Sequence, residues 1–162
     1  MNPRELRQQA LYESLEQHIL CIDGAMGTML QQAGLSAADF GGPALDGCNE
    51  VLVRTRPDVV LGVHRAYLEA GADIIETNTF GGTPIVLAEY NLQDATHELN
   101  RRAAELARQA ADEFSTPARP RFVAGSIGPT TKSISTTGGI TFAELREAYL
   151  AQARALRAKI GA

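Results

Sequence analysis

The sequence is poor in the residues that build disulfide frameworks and metal sites. Of its 162 residues, two are cysteine and three are histidine. Cys21 stands in an apolar run and Cys48 in a polar loop, which does not suggest a disulfide framework. Zinc sites draw three or four ligands from close Cys and His patterns, and neither C-x-x-C nor H-E-x-x-H occurs. We therefore expect no metal site within this chain.

The sequence also lacks the features of a nucleic-acid or membrane protein. Fifteen Lys and Arg stand against 19 Asp and Glu, a formal net charge of −4, and no basic cluster is interleaved with aromatic residues. No run approaches the ~18 apolar residues that span a bilayer, and the N-terminus does not read as a signal peptide. We expect a soluble, cytoplasmic protein with neither nucleic acid nor membrane as partner.

What the sequence does contain is an alternation of helical and strand patterns. Helices are predicted at residues 4–18, 57–70, 84–90 and 94–113, and after the capping box Thr141-x-x-Glu144. Apolar strands are predicted at residues 19–22, 72–77 and 122–124. Residues 31–56 have no sustained periodicity and predict a long excursion with short helical turns at most. The alternation indicates an α/β fold with a parallel sheet and right-handed crossovers.

Each predicted strand is followed by a polar or glycine-rich segment. These segments are DGAMGT at residues 23–28, ETNT at 76–79 and GSIGP at 125–129. The carboxyl ends of parallel strands open on one edge of a sheet, so Asp23, Glu76 and Ser126 should be neighbours. Asp23 suits an ammonium group, and the amides of a glycine-rich turn suit a carboxylate. An Asp-Gly turn, helix caps after residue 76 and a tight turn before Pro129 remain alternatives.

Two other features do not favour a catalytic or nucleotide site. The stretch GSIGPTTKS at residues 125–133 is superficially similar to a phosphate-binding loop, but that motif requires Gly before the lysine, and Thr131 stands there. His64 and His97 fall within helical patterns, and we interpret both as packing or surface residues.

Taken together, the motifs resemble those of homocysteine S-methyltransferases, in the same order along the chain. The matching segments are DGAMGT at residues 23–28, CNE at 48–50, RPD at 56–58, AGADIIETNTF at 70–80 and GSIGP at 125–129. The match runs from about residue 19 to the end, and it is strongest with the homocysteine-binding module of the cobalamin-dependent methionine synthase branch.

This resemblance implies a (β/α)8 TIM barrel with its site at the carboxyl ends of the strands. Residues 1–18 would form an N-terminal helix, and residues 19–162 the first half of the barrel, with about three parallel strands. The closing Ile160-Gly161-Ala162 is similar to the Ala70-Gly71-Ala72 junction that precedes a strand. We therefore expect the chain to stop where a fourth strand would begin.

The resemblance also implies the chemistry. In the family, zinc is held by three cysteines of the second half of the barrel and binds the homocysteine thiolate. None of these cysteines is present, and neither Cys21 nor Cys48 occupies a family zinc position. The methyl donor would be methylcobalamin, supplied with methyltetrahydrofolate by other modules of a full-length chain. The implied substrate-binding residues are Asp23, Gly24, Ala25, Glu76, Asn78, Gly125 and Ser126. No catalytic residue is assigned, and this segment alone is expected to be inactive.

Three alternatives remain open. In the first, the chain is a non-catalytic remnant. In the second, it belongs to a homocysteine S-methyltransferase with another methyl donor. The third is a different barrel enzyme with a phosphorylated substrate. Apart from Lys132, no Lys or Arg lies beside the glycine-rich turns, which disfavours this last reading.

Overall fold

The structure, a computed structural model, describes residues 2–135 and 138–160 as a mostly helical α/β fold with a small parallel sheet. The helices are α1 (Pro3–Gln17), α2 (Met26–Gln32), α3 (Ala37–Phe40), α4 (Leu52–Thr55), α5 (Pro57–Glu69), α6 (Pro84–Leu87), α7 (Thr96–Phe114) and α8 (Phe142–Ile160). The strands are β1 (Ile74–Glu76) and β2 (Phe122–Ala124). Across the described ranges, no helix has the combined length and apolar character needed to cross a bilayer. The expected return to a strand at Gly161 and Ala162 falls outside these ranges.

Caps confirm the predicted start of α8 and the predicted bounds of α5, whereas the helix predicted at residues 84–90 ends at Leu87 and continues as a 3-10 turn. In α8, the backbone N–H of Thr141 donates to the Glu144 carboxylate at 2.8 Å, and the N–H of Glu144 donates to the Thr141 hydroxyl at 3.2 Å. Helix α5 begins at Pro57, and Gly71, just beyond its end, has a φ of 108° that favours glycine. Local sequence therefore determines where these long helices begin and end.

The sheet has the predicted parallel direction. Strands β1 and β2 pair in the register Ile74↔Phe122, Ile75↔Val123 and Glu76↔Ala124. A single parallel bridge joins Ile22 to Ile74 on the other side of β1. Strand β1 therefore lies between the other two segments.

The predicted buried strand at residues 19–22 is wrong in extent and burial. Only Ile22 makes a bridge, and the exposed fractions are 91% for Ile19 and 55% for Ile22. Cys21 is also exposed, although its carbonyl accepts hydrogen bonds from the backbone N–H groups of Asp73 and Ile74. The segment pairs with β1 on one side, and no described strand pairs with its other edge.

The non-periodic excursion at residues 31–56 contributes much of the core. It does consist of short turns, namely α3, α4 and the 3-10 turns Pro43–Leu45 and Asn49–Val51. Yet Phe40, Val51, Leu52 and Val53 are buried in one cluster with residues of α5 and α7. Burying one such side chain stabilises the fold by ~1.5–3 kcal/mol. Helical periodicity did not reveal this contribution, because each turn is too short to show a repeating face.

His64 is a buried titratable residue of the helices. This residue of α5 is fully buried, and neither ring nitrogen has a hydrogen-bond partner among the described residues. Burial lowers the pKa of His64 to about 4. The interpretation of His64 as a packing residue and of the exposed His97 as a surface residue is confirmed.

We predict that His64 makes the fold sensitive to acid. The unfolded chain takes up a proton at this histidine below a pH of about 6.5, whereas the folded chain resists protonation down to about 4. Stability is thus lost as the pH falls through this window, and between pH ~7 and ~5 the loss from this group is about 2 kcal/mol. Urea unfolding should show a smaller acid loss for His64→Leu than for the parent. His97→Leu is the control, and an equal acid loss in the parent and His64→Leu would contradict the prediction.

Candidate functional site

The segments that follow the three paired regions meet at one edge of the sheet. The carboxylate of Asp23 accepts the backbone N–H of Glu76 with both oxygens, at 3.0 and 3.1 Å. On the other side, the N–H of Ser126 donates to the hydroxyl of Thr77 at 3.0 Å. The expectation that Asp23, Glu76 and Ser126 are neighbours is confirmed, because the parallel strands end together.

A cavity of about 510 Å³ opens at this edge. Six of the seven predicted site residues line it, namely Asp23, Gly24, Ala25, Glu76, Asn78 and Ser126. The rest of its lining is Met26, Gly27, Asn49, Glu50, Thr77, Thr79 and Phe80. The volume is that of a pocket for a small molecule.

Gly125 does not line this cavity. A Cβ at Gly125 would lie 3.0 Å from Ile160 Cδ1 and 3.1 Å from Leu156 Cδ1, so the residue packs against α8. Gly125 instead lines a separate depression with Ile127, Leu156 and Ile160. The glycine thus allows close packing of α8, and it lies outside the cavity that its neighbour Ser126 lines.

Asp23 is a half-buried carboxylate in the cavity wall. Burial raises its pKa to about 6, the hydrogen bond from the Glu76 backbone opposes the shift, and the negative charge of Glu76 adds to it. The group is therefore mostly ionised at neutral pH. A carboxylate in this position suits a ligand ammonium group.

The turn after Asp23 is held by Tyr67 of α5. The Tyr67 hydroxyl donates to the carbonyl of Ala25 at 3.3 Å. A Cβ at Gly24 would lie 3.1 Å from the same hydroxyl oxygen, which explains the small residue there. Within the described part of the chain, the N–H groups of Gly24 and Ala25 have no acceptor. These amides remain free to bind an anionic group beside Asp23.

Sequence reasoning missed Asn49 and Glu50 as site residues. The carboxamide of Asn78 donates to the carbonyl of Asn49 at 2.7 Å, and Glu50 accepts the backbone N–H of Gly81 at 2.7 Å. These bonds join the excursion to the loop after β1. The CNE motif at residues 48–50 was the available signal, but its place in the wall depends on contacts with residues about thirty positions away.

The donor groups present do not fit the zinc ion that the resemblance implies. Among residues 2–135 and 138–160, no three His, Cys, Asp or Glu side chains gather as a ligand set. Burial, and then the charge of Glu50, raises the pKa of the Cys48 thiol to about 11, so it stays protonated at neutral pH. Zinc binds the thiolate, and Cys21 is exposed outside the cavity.

Comparisons with known proteins identify the family of this chain. The sequence profile described as homocysteine S-methyltransferase matches residues 20–161. The methionine synthase of Mycobacterium leprae (strain TN) is 48% identical over 139 residues, which are 86% of this chain and 11% of that protein. The methionine synthase of Mycobacterium tuberculosis (strain ATCC 25618 / H37Rv) is 46% identical over 146 residues, 90% of this chain and 12% of that protein. This chain thus spans about a ninth of the length of these relatives.

Two solved structures are also similar. The metallated form of the homocysteine methyltransferase MmuM from Escherichia coli has a TM-score of 0.73 at 25% identity, and the match covers 92% of this chain and 54% of that one. Its oxidized form has a TM-score of 0.71 at 26% identity, covering 90% and 51%. The fold of this chain is therefore shared with about half of each of those enzymes.

We predict that Asp23 titrates near neutrality. In carboxyl-detected NMR, its signal should have a midpoint at a pH of about 6. Asp39, whose pKa hydrogen bonds from Ser36 and Arg56 lower to about 2, is an internal reference. Glu76→Gln should lower the Asp23 midpoint by removing a nearby negative charge, whereas Glu98→Gln on the exposed face of α7 should not. A midpoint near 4 in the parent would show that the carboxylate is solvated.

Proposed function

This chain belongs to the homocysteine S-methyltransferase family, and we propose that it is the homocysteine-binding segment of a methionine synthase. The observation that carries the proposal is the pairing of an ionised Asp23 with the free amides of Gly24 and Ala25 in one cavity. A carboxylate beside free N–H groups complements the ammonium and carboxylate groups of an amino acid.

We assign the binding roles residue by residue. Asp23 holds the ammonium group of homocysteine, and the amides of Gly24 and Ala25 hold its carboxylate. Glu76 and Ser126 complete the cavity wall, and Asn78 fixes that wall through Asn49. This chain therefore binds and orients the substrate, and the donor groups of its described residues do not form a zinc site.

We also propose that the fold is the first half of a (β/α)8 barrel, with an N-terminal helix at residues 1–18 and barrel elements at residues 19–162. The match to about half of each MmuM chain supports this, as does a cavity at the carboxyl ends of parallel strands. In the whole protein, methylcobalamin and methyltetrahydrofolate modules would supply the methyl group. Identity of 46–48% to methionine synthases, against 25–26% to MmuM, favours this donor over another.

The first test of the proposal concerns Asp23. We would replace the matched segment of the Mycobacterium tuberculosis methionine synthase with this chain and assay methionine formation. In this chimera, Asp23→Asn should raise the KM for homocysteine about ten- to a hundredfold, since a charge-assisted hydrogen bond contributes ~1.5–3 kcal/mol. The KM for methylcobalamin should not change.

The Tm of the variant distinguishes the loss of a substrate contact from misfolding. Because burial raises the pKa of Asp23 to about 6, the charged carboxylate lowers the stability of the fold at neutral pH. Asp23→Asn removes this charge and keeps an acceptor for the Glu76 N–H, so the Tm at neutral pH should not fall. Asp94→Asn, an exposed aspartate outside the cavity, is the matched control. An unchanged homocysteine KM in Asp23→Asn would remove Asp23 from the binding site.

The second test concerns zinc in the chain of residues 1–162. After dialysis against buffer, atomic absorption should find less than about a tenth of an equivalent of zinc, because strong binding needs a nearly complete ligand set. Methionine formation by this chain alone should equal the background without protein. MmuM from Escherichia coli, dialysed in parallel, is the positive control. Stoichiometric zinc with turnover would contradict the proposal and point to Cys21, Cys48, His64 or His97 as ligands.

A further inference from the structure

Two buried carboxamides hold the loop that forms one wall of the cavity. This loop, residues 77–82, is called the β1 loop. Gln152 of α8 donates to the carbonyl of Thr79 at 2.7 Å and, more weakly, to that of Ser126 at 3.4 Å. Asn100 of α7 donates to the carbonyl of Gly82 at 2.7 Å. The two side chains thus support the β1 loop from the side of the helices.

Packing alone does not explain these carboxamides. Asn100 and Gln152 are both fully buried, and the Oδ1 of Asn100 and the Oε1 of Gln152 have no hydrogen-bond partner among the described residues. An unpaired buried oxygen is unfavourable, and an apolar side chain of the same size would avoid this cost. The carbonyl groups that the two NH₂ donors satisfy are the reason for polar residues here.

The β1 loop lies directly on the two carboxamides. A Cβ at Gly82 would be 2.5 Å from Asn100 Oδ1, 2.8 Å from Gln152 Nε2 and 2.9 Å from the Thr79 carbonyl oxygen. Only glycine allows this approach. The backbone of residues 79–82 therefore has little freedom to move while both carboxamides are in place.

Gln152 also acts where two strand-end segments meet. The hydroxyl of Thr79 donates to the carbonyl of Ser126 at 2.8 Å, and Gln152 contacts the carbonyls of these same two residues. Thr77, Asn78, Thr79 and Ser126 all line the cavity. A substitution at residue 152 would therefore displace both segments of the cavity wall, the β1 loop and the segment at Ser126.

We infer that Asn100 and Gln152 are positioning residues, which set the affinity for homocysteine through the β1 loop without touching the substrate. The inference rests on the proposed function of the cavity. Neither residue lines the cavity, so any effect on binding must pass through the backbone that they hold.

The kinetic test uses the chimera described above. Gln152→Met keeps the size of the side chain and removes its donor, and Gln152→Glu keeps the shape but replaces the donor with an acceptor. Both variants should raise the KM for homocysteine about tenfold, the expected effect of losing one net hydrogen bond, and leave the KM for methylcobalamin unchanged. Asn100→Leu should act in the same direction.

Val60→Ala is the control for stability. Val60 is fully buried in the helical core and lies outside the cavity lining, so the variant should lower the Tm without changing the homocysteine KM. A KM for Gln152→Met within about twofold of the parent would overturn the inference. An equal rise in KM for Val60→Ala would overturn it as well, because the effect would then follow stability.

A second measurement separates this inference from the proposed function. In the chain without ligand, hydrogen exchange at the N–H groups of Gly81 and Gly82 reports on the β1 loop, since they donate to Glu50 and to the Thr79 carbonyl. Gln152→Met should speed this exchange about tenfold and leave the amides of α5 unchanged. Fast exchange with no saturable homocysteine KM in the parent chimera would contradict the proposed function alone. Unchanged exchange would contradict the positioning role.

Discussion

The hydrogen bond from the Glu76 backbone to the Asp23 carboxylate is the interaction on which the site depends. The segment before Asp23 joins the sheet through one bridge at Ile22, so this bond and the one from the Asp23 N–H to the Ile74 carbonyl fix its end. The same carboxylate forms part of the cavity wall. Asp23 thus has a structural role in the sheet and a chemical role in the cavity. Its burial at this position raises its pKa.

The polar clusters at the two ends of the short sheet differ in whether their carboxylate is paired with a cation. At the amino end, the Asp73 carboxylate accepts hydrogen bonds from the Cys21 N–H at 3.1 Å and from the buried Arg121 at 2.8 Å. These charges are paired, so they contribute to stability and leave little free for a ligand. At the carboxyl end, Asp23 is offset by backbone groups only, and it remains available to a cation. In parallel α/β folds, binding sites lie at that carboxyl end.

Local sequence could predict the long helices, the direction of the sheet and six of the thirteen residues that line the cavity. These features follow from caps, periodicity and the common edge of parallel strands. It could not predict the exposure of Ile19, because four apolar residues indicate burial whether or not a neighbour covers them. Gly125 does not line the cavity, because it packs against α8 just after β2. Asn49, Glu50, Asn100 and Gln152 were missed because their contacts join residues far apart in sequence.

The charge of the cavity bears on the choice between the rival substrates. Asp23, Glu50 and Glu76 all line it, whereas no Lys, Arg or His appears in its lining among the described residues. A phosphate group would face three carboxylates without a cation to offset them, which is strongly unfavourable at short range. Lys132 lies in a separate depression with Pro84 and Glu89. Arg4 and Arg157 share another depression with Gly125, and neither lines this cavity. The ammonium group of an amino acid would be attracted by these carboxylates, which would offset the repulsion of its own carboxylate. The electrostatics of this chain therefore favour an amino acid over a phosphorylated substrate.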